Sequence, residues 1–167
     1  MRTLAVGDIH GCYHALTTLE AFVKFQPDDH IITLGDHIHR GPDTRSVIQW
    51  LIDRQGKGRL TALRGNHECA FQAAITSELD RETWLGFGGD QMLASYNVQS
   101  IDQIPVEHRA FLQSGLKDFY ENDTHFCVHA NAREDVALKD QPERMLFWKK
   151  FVDVKPHQSG KVMVCGH

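Results

Sequence analysis

No apolar run in this chain approaches the roughly 20 residues that a membrane-crossing helix needs. The stretch from Met1 to Gly7 lacks the long apolar segment of a secretory leader. Basic residues are not in excess: 18 Lys and Arg face 22 Asp and Glu, for a net charge of −4, and they are scattered. A nucleic-acid surface needs a basic stripe to offset phosphate charge, so neither nucleic acid nor membrane is an expected partner. Cysteine is scarce. Cys12, Cys69, Cys127 and Cys165 stand far apart with no C-x-x-C pair. They are expected to be reduced thiols in or near the core of a cytoplasmic protein. Internal repeats, linkers and low-complexity tracts are absent, so residues 1–167 are expected to form one domain. Nothing in the chain speaks to its oligomeric state.

What is present is an ordinary soluble composition, 41% apolar and 24% charged, with one unusual feature: eleven histidines. Short β-branched runs recur at Thr3-Leu4-Ala5-Val6, Ile31-Ile32-Thr33-Leu34, Leu60-Thr61-Ala62-Leu63, Phe126-Cys127-Val128 and Val162-Met163-Val164-Cys165. Their length and composition predict buried strands. Helical spacing lies between the first three, over Tyr13 to Phe25 and again after Gly41-Pro42-Asp43, where Pro42 suits a first helical turn. Strand, helix, strand, helix, strand predicts a parallel sheet covered by helices. The middle, Phe71 to Ser114, is expected to be mostly helical, with breaks at Gly86-Phe87-Gly88-Gly89 and Pro105. A hairpin is expected around Asn122-Asp123.

Each of the five strands ends in polar residues able to bind a metal. They are Gly7-Asp8-Ile9-His10-Gly11, Gly35-Asp36-His37-Ile38-His39-Arg40-Gly41, Arg64-Gly65-Asn66-His67-Glu68, Val128-His129-Ala130 and Cys165-Gly166-His167. Asp8, Asp36 and Asn66 are separated by 28 and 30 residues, the interval of a strand-plus-helix unit. The carboxyl ends of parallel strands lie along one edge of a sheet, where ligands bind. These side chains should therefore converge. Any one of them alone is more often a turn, a helix cap or a hydrogen-bonded core residue. Five at five strand ends are hard to explain that way. Two carboxylates, an amide oxygen and three imidazoles suit Mn, with Fe, Zn or Co as alternatives, and an Asp carboxylate can bridge two ions.

Gly-Asp-x-His-Gly, Gly-Asp-x-x-x-Arg-Gly and Gly-Asn-His-Glu together resemble the PPP family of calcineurin-like metallophosphatases, especially small bacterial serine/threonine protein phosphatases and diadenosine tetraphosphatases. The resemblance extends over nearly the whole chain, including Gly88-Gly89-Asp90 and Phe147-Trp148. It implies an α/β fold, a metallophosphatase-type β-sandwich of mixed sheets flanked by helices in four layers, α/β/β/α. It implies two divalent metal ions, with Asp8 and His10 on the first, Asp36 bridging, and Asn66, His129 and His167 on the second. It makes His67 the general acid and Arg40 the clamp on phosphoryl oxygens, and Asn66 would also touch substrate. A hydroxide between the metals would attack phosphorus. The expected substrate is a phosphate monoester on a Ser/Thr phosphoprotein. A dinucleoside tetraphosphate is the alternative, and a weakly active metal-binding interaction protein the further one.

The chain departs from the family pattern in three places. His39 stands where the family has an Asp paired with the catalytic His; a His there offers no carboxylate and, if protonated, would repel His67. Trp148-Lys149-Lys150 replaces Trp-x-Arg, so Lys150 keeps a substrate-binding charge but loses the bidentate fork. The sequence stops at His167, where relatives continue, so C-terminal strands of the second sheet are expected to be missing and His167 to be a weakly anchored ligand.

Overall fold

A computed structural model describes residues 2–152 and 155–167. The strands are β1 Thr3–Val6, β2 His30–Thr33, β3 Leu60–Ala62, β4 Phe119–Glu121, β5 His125–Val128 and β6 Val162–Val164. The helices are α1 Tyr13–Val23, α2 Thr44–Gly56, α3 Asn66–Thr76, α4 Glu78–Trp84, α5 Asp90–Tyr96, α6 Val106–Ser114 and α7 Glu143–Trp148. A π-helical turn, Leu85–Gly89, joins α4 to α5.

The first sheet is β1-β2-β3, all parallel, with helical crossovers as the sequence predicts. The second is β4-β5-β6. Its first pair is the expected antiparallel hairpin, and β5 runs parallel to β6. Backbone bonding between Leu63 and Lys117 ties the end of the first sheet to the segment entering the second.

Side-chain alternation along the strands makes the layers. In β2, Ile31 packs into the cluster built by α1, α2, α3 and α6, through Leu16, Val47, Ile48, Leu51, Phe71 and Leu112. Its neighbour Ile32 faces the other way, against Leu34, Leu63, Cys127, Tyr120 and Val164 between the sheets. In β5, Phe126 and Val128 pack outward on Leu138, Leu146 and Phe147 of the α7 side. Helices, sheet, sheet and a thin outer helical layer are the expected α/β/β/α order. The second sheet has three strands among the described residues.

Two local expectations need correction. Pro42 is not in the first turn of α2. Asp43 is the cap, its Oδ1 accepting from Ser46 N–H at 3.0 Å, so the helix starts later. A carboxylate that satisfies a free helical N–H outcompetes proline as the starting signal. Cys12 is not a core thiol but exposed, because it precedes α1 at the rim of the site.

Candidate metal centre

The loops that follow β1 and β2, and His167 after β6, are held in unusual backbone shapes. Among the described residues, seven non-glycine positions have positive φ, and five of them are His10, Asp36, His39, Arg40 and His167. Such conformations cost energy and concentrate where a site dictates the geometry. Gly35, at φ +99°, and Gly65 let the second and third loops touch: a Cβ at Gly65 would meet the Asp36 backbone nitrogen at 2.5 Å.

One buried side chain fastens these loops. Glu68 Oε2 accepts from Asp36 N–H at 2.9 Å and Gly65 N–H at 2.8 Å, and Oε1 accepts from His37 N–H at 2.8 Å. The Gly65 bond is the reciprocal half of a capping box at the start of α3. Burial alone would push the Glu68 carboxyl up, but the His37 imidazole and these N–H groups outweigh it and hold the acid well below its usual range.

Asp36 sits between two sets of donors. On one side its Oδ2 is 3.6 Å from His10 Nε2, and Asp8 Oδ2 is 4.0 Å from the same nitrogen. On the other its Oδ1 is 3.4 Å from His129 Nε2. The proton positions are informative. His10 Nδ1 lies 3.0 Å from the Ile38 carbonyl, and His129 Nδ1 lies 2.8 Å from the Leu34 carbonyl. Carbonyls only accept, so each neutral ring carries its proton on Nδ1 and presents a bare lone pair at Nε2. His129 Nε2, the Asn66 oxygen and His167 Nδ1 then stand 3.0 to 3.2 Å apart from one another.

Lone pairs converging in this way repel unless a cation sits among them, and carboxylate, amide oxygen and imidazole are donors for a divalent metal. Burial, together with the Glu68 charge, also raises the Asp36 carboxyl, as expected for an acid whose counter-charge is a metal rather than a side chain. The residues fit two ions sharing Asp36. The hydrogen bonds of His10 and His129 to carbonyls are those that orient metal-binding imidazoles.

His67 lies beside the Asp36 end of this cluster, with Nε2 3.9 Å from Oδ2. Its ring stacks on Phe87 at 4.2 Å, and its Nδ1 is 2.7 Å from His39 Nδ1. Arg40 Nη2 is 3.3 Å from His67 Nε2 on an exposed arm. His39 was expected to repel His67 if protonated, and its surroundings disfavour that protonation. Burial pushes His39 down to about 4 and, as the largest cause, pushes His67 down to about 3, where a proton on the neighbouring His39 ring would lower it further. His167 is exposed, yet its N–H donates to Asp8 Oδ1 at 3.0 Å, which anchors it more firmly than its place in the sequence suggests. Lys150 is not gathered in. It is exposed, its carbonyl accepts from Asn131 Nδ2, and no contact joins its ammonium to the cluster among the described residues. A short α7 ends before it and turns it outward.

The lowered histidines set a pH dependence. Between their folded values and about 6.5, the unfolded chain holds protons at His39 and His67 that the folded chain does not. Stability therefore falls as pH falls through that window. Asp36 opposes this by one proton, since its pKa is raised. His30, His108 and His129 are lowered by burial as well and act with His39 and His67, so the histidines outweigh Asp36. The melting temperature of chelator-treated protein is expected to drop steadily from pH 6.5 to pH 4.5. A flat or rising midpoint in calorimetry would contradict it.

Sequence reasoning missed Glu68 as the loop fastener and Phe87 and Trp84 as walls of the His67 pocket. Glu68 stood in the third motif, but nothing in its spacing says that it turns inward.

The sequence and the fold both have counterparts. The pattern of the calcineurin-like phosphoesterase family matches residues 1–167. Serine/threonine-protein phosphatase 1 of Salmonella typhimurium is 31% identical over 155 residues, covering 89% of this chain and 63% of that protein. Serine/threonine-protein phosphatase 2 of Escherichia coli is 39% identical over 150 residues, covering 86% and 65%. The symmetrical bis(5'-nucleosyl)-tetraphosphatase of Methylobacillus flagellatus is 38% identical over 69 residues, 41% of this chain and 24% of that protein. The chain thus spans less than two thirds of the length of these relatives. Among solved structures, a putative diadenosine tetraphosphatase superposes with a TM-score of 0.63 at 23% identity, over 86% of this chain and 56% of its own, and has the same fold. A family pattern matched from the first residue to the last, on a fold that gathers the candidate metal-binding groups at one edge, places this chain in the calcineurin-like phosphoesterase family.

Proposed function

We propose that this domain hydrolyses phosphate monoesters, with Ser/Thr phosphoproteins as the substrate class and two divalent cations, Mn foremost, as cofactors. The observation that carries the reading is Asp36, whose two oxygens face separate donor sets built by His10 with Asp8 and by His129, Asn66 and His167. When bound, the cations supply Lewis-acid charge and acidify a water at the site. The chain's own residues do the rest. Arg40, on an exposed arm beside the cluster, can bind two phosphoryl oxygens in parallel through its planar fork. His67 places Nε2 next to the Asp36 carboxylate, at the position from which a proton can reach a departing oxygen. Asn66 shares its position between metal and substrate. The same arrangement suits a cytoplasmic setting, where four unpaired thiols stay reduced.

A second reading, hydrolysis of a dinucleoside tetraphosphate, is favoured by the 69-residue match to proteins named for that activity. One panel separates them. Chelator-treated protein is loaded with Mn, Fe, Zn or Co and assayed on an aryl phosphate, a phosphoserine peptide and diadenosine tetraphosphate. Turnover of the first two, restored by Mn and absent in chelator, is the expected result. ADP release from the third alone would favour the second reading. Metal uptake, seen as a raised melting temperature, with no turnover on any substrate would leave a metal-binding interaction protein.

A further inference from the structure

Beside the proposed cations, three rings form a chain of hydrogen bonds whose polarity can be worked out. Trp84, at the end of α4, is buried and points its indole Nε1 at His39 Nε2, 2.7 Å away. His39 Nδ1 is 2.7 Å from His67 Nδ1. The path is short because the turn Leu85–Gly89 wraps over His39. Gly88 allows it, since a Cβ there would meet His39 Cβ at 2.8 Å. Phe87 from the same turn stacks on the His67 ring and sets its plane.

An indole N–H can only donate. His39 Nε2 must therefore accept and bear no proton, so the proton that the ring holds sits on Nδ1. That proton can go only to His67 Nδ1, which must accept in turn. The remaining proton of His67 is then on Nε2, the nitrogen that faces Asp36. The opposite assignment fails on proton count. If His67 Nδ1–H donated to His39, then His39 would accept at both nitrogens and hold no proton at all. Arg40 Nη2, at 3.3 Å from His67 Nε2, does not decide the matter. It belongs to an exposed side chain at the long end of the hydrogen-bond range, while the two ring contacts are buried and short.

We infer that Trp84 and His39 are positioning residues that act as a donor relay, Trp84 to His39 to His67, and fix the His67 proton on Nε2. A carboxylate at position 39 would do the reverse, because it accepts from Nδ1. His39 is thus not a missing carboxylate but a device of opposite polarity. Two consequences follow. A nitrogen carrying a proton cannot bind metal, so His67 is kept out of the ligand set although it stands within reach of it. And that proton is directed at the site where a phosphoryl leaving group would lie. The inference deepens the proposed function, but its test does not use turnover, so the two can fail separately.

The test reads the tautomer by long-range ¹H–¹⁵N NMR of zinc-loaded protein, with the His67 signals assigned by comparison with His67→Gln. The parent is expected to carry the His67 proton on Nε2. His39→Asn can still donate, through its amide N–H, and is expected to keep the same tautomer. His39→Asp can only accept and is expected to move the proton to Nδ1 or to give the doubly protonated ring. Trp84→Phe removes the indole donor and is expected to give a mixture of His67 tautomers. If that variant does not fold, the His39 pair decides, since both leave Trp84 in place. A His67 proton on Nδ1 in the parent, or one pattern in both His39 variants, overturns the inference.

Discussion

Asp36→Asn is expected to lose both cations and at least about a thousandfold in turnover. A factor of a thousand is about 4 kcal/mol of transition-state stabilisation, a size in keeping with the loss of metal-borne charge at the reacting phosphorus. The reason lies in the geometry. Asp36 alone presents one oxygen to each donor set, 3.6 Å from His10 Nε2 and 3.4 Å from His129 Nε2. An amide keeps one oxygen but turns an N–H₂ toward the other set, where it meets lone pairs already committed to metal. Asn is the right replacement because the residue has φ +50°, a conformation that Asp and Asn tolerate better than most. Its remaining oxygen can still accept from His67 N–H, as Asp36 Oδ1 does at 3.1 Å. The fold should therefore survive. Removing the buried negative charge beside Glu68 is expected to cost no stability in the metal-free state, since burial already disfavours that charge. Metal content by elemental analysis, melting temperature with and without Mn, and turnover of an aryl phosphate check the claim. Retention of two ions per chain with undiminished turnover would show that Asp36 does not bridge.

The convergence of the candidate metal-binding groups was legible because physics writes it locally. A short β-branched run followed by Gly-Asp or Gly-Asn marks a strand end, and a separation near 30 residues marks a strand-plus-helix unit. Parallel packing then brings Asp8, Asp36 and Asn66 to one edge. The layers were legible for the same reason, through alternation such as Ile31 against Ile32. What escaped were partners set by tertiary contact. His39 was expected to be a lost carboxylate and a source of repulsion. In the structure it accepts from Trp84, 45 residues on, which is folded against it by the turn at Leu85–Gly89. No spacing rule connects those positions. Lys150 was expected near substrate because of the tryptophan before it, but only the end of α7 decides where such a side chain points. His167 was expected to be loose. The bond from its backbone N–H to the Asp8 carboxylate, 159 residues away, is the kind of closure that only a folded sheet edge can make.

Glu68 is expected to be the most costly single position for stability. It is fully buried, and its two oxygens take N–H bonds from Asp36, Gly65 and His37 at 2.8 to 2.9 Å, with Ile38 N–H at 3.4 Å. Glu68→Ala would leave these donors in the interior with no acceptor. Each unmet buried donor costs about 1 to 3 kcal/mol, partly relieved by relaxation, so a loss of about 3 to 5 kcal/mol is expected. Against a total of about 5 to 15 kcal/mol, that is enough to unfold a marginal domain at physiological temperature. Glu68→Gln is the sharper test, because it keeps shape and volume. Whichever way the amide turns, its N–H₂ faces two backbone N–H groups. Gln is therefore expected to lose about 2 kcal/mol or more, in contrast to an isosteric change at an exposed site. The damage should also reach function. Three of these bonds, from Asp36, His37 and Ile38, press the second loop onto the third, and with it Asp36 onto the start of α3, where Asn66 and His67 lie. Denaturant unfolding at pH 7 measures the stability term, and Mn titration by calorimetry measures the loss of metal affinity. A Glu68→Gln variant within about 0.5 kcal/mol of the parent, the scatter of ordinary surface substitutions, would mean that the loops are held together by something other than this carboxylate.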